Sequence, residues 1–143
     1  VRSRGAEVVR HGDSLDAAQA HARIREQGRG LCFIHPFDDP EVIAGQGTIG
    51  MEILRQGNEP PAGIYLAVGG GGLIAGVGAY VKALWPSVQI IGVEPQDADA
   101  MTRSLAAGER QRLEQVGLFA DGVAVREVGE ETFRVAQQVV DRW

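Results

Sequence analysis

The sequence predicts a layered α/β fold, a largely parallel sheet flanked by helices in three layers. Short apolar runs alternate with helical segments along the chain. Two of these runs, "GIYLAV" (63–68) and "VQIIGV" (88–93), are apolar almost throughout, as a strand covered on both faces requires. Between them, four consecutive glycines lead into a helix that is apolar nearly all round and therefore buried.

Each element has its own signal. "AEVV" (6–9) reads as a short strand. "SLDAAQAHARIREQG" follows as a helix with Ser14 as N-cap, Leu15, Ala18 and Ala22 on one face, and Gly28 at its end. "LCFI" (31–34) reads as a second strand, in which Cys32 is a buried small hydrophobe. "HPFDDP" then breaks the chain twice with proline, so a boundary between two lobes is expected within residues 35–40. The next helix is clearest from Thr48 to Gln56. Residues 73–84 form the buried helix, with Pro86 beyond its end and with Gly76 and Gly78 allowing close packing on the sheet. Residues 98–107 form a weaker helix. In the last helix, "EETFRVAQQVVDRW", Phe133, Ala136, Val140 and Trp143 recur at helical spacing. Glu130 and Glu131 open it and Arg142 closes it, in accord with the helix dipole.

Composition excludes several classes. The formal charge is −5 and no basic run exists to neutralise nucleic-acid phosphates or a membrane surface. Cys32 is the only cysteine, so no internal disulfide forms and a reducing compartment, the cytoplasm, is expected. The N-terminus carries no signal-peptide core. From Pro60 to Val81 no residue is charged, a length that could span a bilayer, yet four adjacent glycines at its middle make a poor helix. A strand, a turn and a helix account for it better.

Gly69–Gly72 are the candidate binding residues. Without Cβ atoms, successive N–H groups can converge on an anion, and a helix start adds its dipole. The competing reading is a tight turn that glycine merely permits. A nucleotide P-loop fails, because Leu73 and Ile74 stand where lysine and a hydroxyl residue are required. A dinucleotide fingerprint stays open: Gly70, Gly72 and Ala75 satisfy its relaxed form, and Glu94 follows the next strand. Against it, two strand–helix units precede these glycines.

The segments "HPFDDPEVIAGQGTIGMEIL", "VGGGGLIAGV", "IIGVEP" and "VGLFADGVAVREVGEETF" together resemble threonine dehydratases of the biosynthetic type, fold-type II pyridoxal-phosphate enzymes, over essentially all 143 residues. Serine dehydratases and serine racemases share the first two features, and "GLFADGVAV" favours the threonine enzymes. The resemblance implies that Gly69, Gly70, Gly71, Gly72 and Leu73 hold the cofactor phosphate, and that Asp121 and Gly122 lie near the cofactor ring and substrate. It implies L-threonine, or L-serine, as substrate, the remainder of a longer parent enzyme as partner, and self-association into a homo-oligomer. Residues 1–39 would belong to a small domain and 40–143 to a large one. Family members are longer, with a cofactor-anchoring lysine upstream of this segment. The chain is therefore expected to be an internal piece, inactive alone.

The remaining candidates have plainer readings. Lys82, the one lysine, stands ten residues beyond Gly72, about 15 Å along a helix, and is expected to rest its stem on apolar surface with its ammonium in water. His35, Asp38 and Asp39 read as a solvated interlobe turn rather than a metal site. Glu94, Asp97 and Asp99 read as a carboxylate-rich helix start; Ala100 stands where the cation site of serine racemases would need an acid. His11 and His21 are expected at the surface.

Overall fold

A computed structural model of the chain describes residues 1–117 and 119–143. They form two compact units, Val1–Ile34 and His35–Trp143, the division falling at the start of the expected boundary segment.

In the first unit, Ser14 caps α1 (Leu15–Arg29), its hydroxyl accepting from Ala17 N at 3.2 Å. The helix runs through Gly28 and stops at Gly30, whose left-handed backbone (φ 62°) returns its N–H to Glu26 O. A single glycine inside a helix costs about 1 kcal/mol and does not end it. Residues 6–9 and 31–34 are not strands. A strand exists by pairing, and neither segment finds a ladder partner among the described residues. Cys32 is accordingly exposed rather than buried, as are Leu31 and Ile34. His11 is exposed and His21 half-buried, their rings stacked at 4.0 Å.

The second unit is built on β1 (Gly63–Ala67), α3 (Gly72–Leu84) and β2 (Gln89–Val93), a parallel βαβ unit in register from Gly63 opposite Gln89 to Ala67 opposite Val93. Ile64, Leu66 and Ile90 join Ile74, Val77, Val81 and Met101 in the core. Among the described residues helices cover this one face of the sheet; on the other, Tyr65 is 73% and Val93 50% exposed. Around this unit pack α2 (Pro40–Gln56), α4 (Ala100–Ala107) and α5 (Glu130–Val139).

The start of α2 lies well before Thr48. Asp39 caps it by accepting from Glu41 N (2.8 Å) and Val42 N (3.3 Å), and Pro40 sits at its first position, where the missing N–H costs nothing. Gly76 serves the contact of α3 with α2 rather than with the sheet: a Cβ there would collide with Ile43 O and stand 2.8 Å from Gly47 N. Gly78 lies against Val139 and Ile90, so it serves α5 and the sheet together.

At the other end, α5 stops at Val139. The amides of Asp141 and Arg142 both donate to Ile90 O, and Gly92 N donates to Arg142 O, so the tail joins β2 by a parallel bridge at Ile91. Arg142 therefore does not close the helix, and Trp143 lies over Gly92, where a Cβ would meet the indole.

The segment 35–39 is an ordered junction, not a solvated turn. His35 Nδ1 accepts from Phe37 N (3.3 Å) and Asp38 N (2.8 Å). Asp38 in turn caps α5, its carboxylate accepting from Glu130 N (2.9 Å), Glu131 N (2.9 Å) and Thr132 N (3.1 Å). Asp38→Ala is expected to destabilise the protein by about 1–2 kcal/mol and Asp38→Asn by less than half of that, measured as midpoint shifts in urea at unchanged m-value.

Candidate functional site: an open helix start

Among the described residues, four of the five α-helices have side-chain oxygens on their first amides. Ser14 serves α1, Asp39 serves α2 and Asp38 serves α5. Glu94, six residues before α4 begins, accepts from Met101 N (3.0 Å), Thr102 N (2.8 Å) and Thr102 Oγ1 (2.6 Å). Helix α3 is the exception. Its N-cap is Gly71, with no side chain, and among the described residues no oxygen accepts from the N–H groups of Gly69, Gly70, Gly71, Gly72 or Leu73. Unbonded amides at a helix start carry about half a positive charge and require an acceptor from outside the helix.

The surroundings forbid side chains on this loop. Gly71 has φ 96°, the left-handed region, and a Cβ there would stand 2.9 Å from Thr132 Cβ. A Cβ on Gly70 would enter the Phe37 ring, and one on Gly72 would meet Phe37 Cβ at 3.1 Å. On Gly69 it would meet Val123 Cα at 3.0 Å. The short 3₁₀ turn Asp121–Val123 is thereby brought against the loop, with Asp121 and Gly122 both exposed on it. Leu118, inside the "GLFADGVAV" segment, lies outside the described residues. Phe37 and Thr132 are the loop neighbours that sequence reading missed, since they lie 33 and 62 residues from Gly70 and no local pattern marks them.

The structure separates other candidates from the loop. Lys82 occupies the last turn of α3, and its ammonium is not free in water: it pairs with Asp141 at 2.7 Å and donates to Pro86 O at 3.2 Å. That ammonium and the amide of Ile90 hold the Asp141 carboxyl below its ordinary range. Among the described residues no group of three or more His, Cys, Asp or Glu converges as a metal site, and no helix is long and apolar enough to cross a membrane. Asp97, Asp99 and Arg103 instead line a 620 Å³ cleft with Gln111 and Gly117.

β1 is the first strand among the described residues, so no strand–helix unit precedes the glycines there and their spacing alone does not exclude a dinucleotide. Glu94 decides the matter. A fingerprint acid must offer its oxygens to a ribose, whereas both oxygens of Glu94 are already committed to α4.

Comparison with known proteins agrees. The sequence pattern described as pyridoxal-phosphate dependent enzyme matches residues 1–143. This chain belongs to the pyridoxal-phosphate dependent enzyme family. It is 63% identical over 141 residues to the chloroplastic biosynthetic threonine dehydratase of Arabidopsis thaliana, covering 99% of this chain and 24% of that relative. The biosynthetic L-threonine dehydratase of Burkholderia multivorans is 57% identical over 137 residues, covering 96% and 27%. The processed form of threonine deaminase isoform 2 from Solanum lycopersicum superposes with a TM-score of 0.92 at 51% identity, over 98% of this chain and 38% of that one. The chain thus spans about a quarter of the length of the curated relatives it matches, with the α/β architecture of fold-type II pyridoxal-phosphate enzymes.

The loop suits the phosphate of the family's cofactor. It offers unbonded amides, the positive end of α3, and a backbone stripped of side chains where its neighbours press closest.

Glu94 also titrates unusually. Burial pushes its carboxyl above the ordinary glutamate range, and Asp99 adds to the shift against the opposing hydrogen bonds from α4. The folded state then binds the proton more tightly than the unfolded one, so this residue's contribution declines as pH rises from the ordinary glutamate range through the raised one. The stability difference between the unaltered protein and Glu94→Gln should shrink over that window in urea unfolding at stepped pH. A difference that grew with pH would contradict this assignment.

Proposed function

We propose that the protein containing this chain uses pyridoxal 5′-phosphate to deaminate L-threonine, giving 2-oxobutanoate and ammonia, a step that feeds isoleucine synthesis. One observation carries the reading. The helix start left without an internal acceptor is the glycine loop that follows a parallel strand, in a chain 63% identical to a biosynthetic threonine dehydratase.

The roles of this chain's residues follow from their chemistry. Amides of Gly69, Gly70, Gly71, Gly72 and Leu73 bind the phosphate, and the α3 dipole adds to their attraction. A phosphate held by several amides cannot rotate freely, so the loop fixes one orientation of cofactor against substrate. The cofactor, when bound, supplies a ring that withdraws charge from the substrate α-carbon. Asp121 and Gly122, on the turn packed against Gly69, border the substrate side. The segment that contains them is the one whose resemblance points to the threonine enzymes, with L-threonine, or L-serine, as substrate. Residues 1–34 and 35–143 are assigned to the small and large domains of the parent, so that His35–Asp39, expected with the small domain, go with the large one. The 143-residue chain alone, its one lysine in the last turn of α3 away from the glycine loop, turns over no threonine.

In the full-length protein supplied with pyridoxal phosphate, L-threonine should yield 2-oxobutanoate and ammonia in equal amounts, with a higher kcat/KM than L-serine. Gly71→Ala should weaken cofactor binding at least about tenfold, because φ 96° strains any other residue. Lys82→Met should keep turnover within about twofold, since its ion pair with Asp141 stands in the last turn of α3, at the far end of the helix from the glycine loop. Absence of 2-oxobutanoate from a folded, cofactor-loaded protein would overturn the reading.

A further inference from the structure

One contact joins the loop to a distant part of the chain. Thr132, completely buried at the first turn of α5, donates its hydroxyl to Gly70 O at 2.6 Å. Gly129 N donates to the same carbonyl at 3.3 Å. Thr132 is itself fixed from behind, its N–H donating to Asp38 at 3.1 Å. Its Cβ also presses on Gly71, leaving no room for a side chain.

The consequence is directional. A carbonyl and the following N–H share one peptide plane and point opposite ways across a trans bond. No peptide bond in the described chain is cis. With Gly70 O drawn towards α5, the N–H of Gly71 must point away from α5. The Thr132 hydroxyl and, less closely, Gly129 N are the hydrogen bonds that fix this peptide, since neither Gly70 nor Gly71 has a side chain to restrict its torsions.

We propose that Thr132 is a positioning residue for the cofactor phosphate: by holding Gly70 O, it aims Gly71 N–H out of the core and into the anion-binding loop. It touches neither cofactor nor substrate and acts through the peptide plane. This inference rests on the phosphate role proposed for Gly69–Leu73, and it makes α5 part of the cofactor site.

The test separates aim from stability by comparing two ligands, pyridoxal phosphate and pyridoxal, which differ only in the phosphate. Equilibrium affinities are measured on the full-length apo protein and its variants, with melting temperatures alongside. Thr132→Val removes the hydroxyl at constant shape; it should lower the pyridoxal phosphate to pyridoxal affinity ratio about tenfold, the effect of one buried hydrogen bond, with pyridoxal binding unchanged. Thr132→Ser, which keeps the hydroxyl, should hold the ratio within about threefold of the unaltered protein. Should Thr132→Val fail to fold, Thr132→Ala and Thr132→Ser, which again differ by a hydroxyl, provide the same comparison. Equal weakening of both ligands, or an unchanged ratio without the hydroxyl, would overturn the proposal. An unaltered protein that binds the two ligands equally would instead contradict the phosphate loop itself, and this inference with it.

Discussion

The larger unit is organised around an electrostatic demand left unmet from within: the first amides of α3 have no internal acceptor. The other helix starts are closed by Ser14, Asp39, Glu94 and Asp38. A conventional cap at Gly71 would require a side chain, and Met101 and Thr132 occupy its space. The helix start therefore needs an acceptor from outside, water or an anion, to complete its hydrogen bonding, as folded proteins require of buried backbone groups. Glycine here is less a source of flexibility than a consequence of crowding: Phe37, Val123 and Thr132 press on three sides.

That crowding ties together segments far apart in the chain. Asp38 closes α5, α5 presents Thr132, and Thr132 holds Gly70. Phe37, one residue before Asp38, covers Gly70 and Gly72. The segment His35–Asp39 thus acts on the loop twice, by contact and through a helix cap. Lys82 and Asp141 make a comparable closure at the opposite end of α3, where Asp141 also accepts from Ile90 N at 2.7 Å. One end of the helix is sealed by an ion pair and the other is left without an internal acceptor.

Local pattern was enough to read β1, α3, β2 and the glycine loop that joins β1 to α3, because apolar runs, four adjacent glycines and a following buried helix are signals within a short window. Errors arose where structure depends on distant partners. Residues 6–9 and 31–34 have strand composition but no neighbour to pair with among the described residues, and Cys32 is exposed for the same reason. The first half of α2 was obscured by Gly45 and Gly47, although Asp39 and Pro40 together form a recognisable start. Nothing local announces that Asp38 caps a helix 92 residues away, that Thr132 reaches Gly70, or that Asp141 recruits the tail to β2.

The central claim is that the amides of Gly69–Leu73 donate hydrogen bonds to the cofactor's phosphate. A crystal structure of the full-length protein with pyridoxal phosphate tests it most directly. Phosphate oxygens should lie within about 3 Å of at least three of these five nitrogens. A phosphate bound elsewhere, with the α3 amides still lacking an acceptor, would contradict the account.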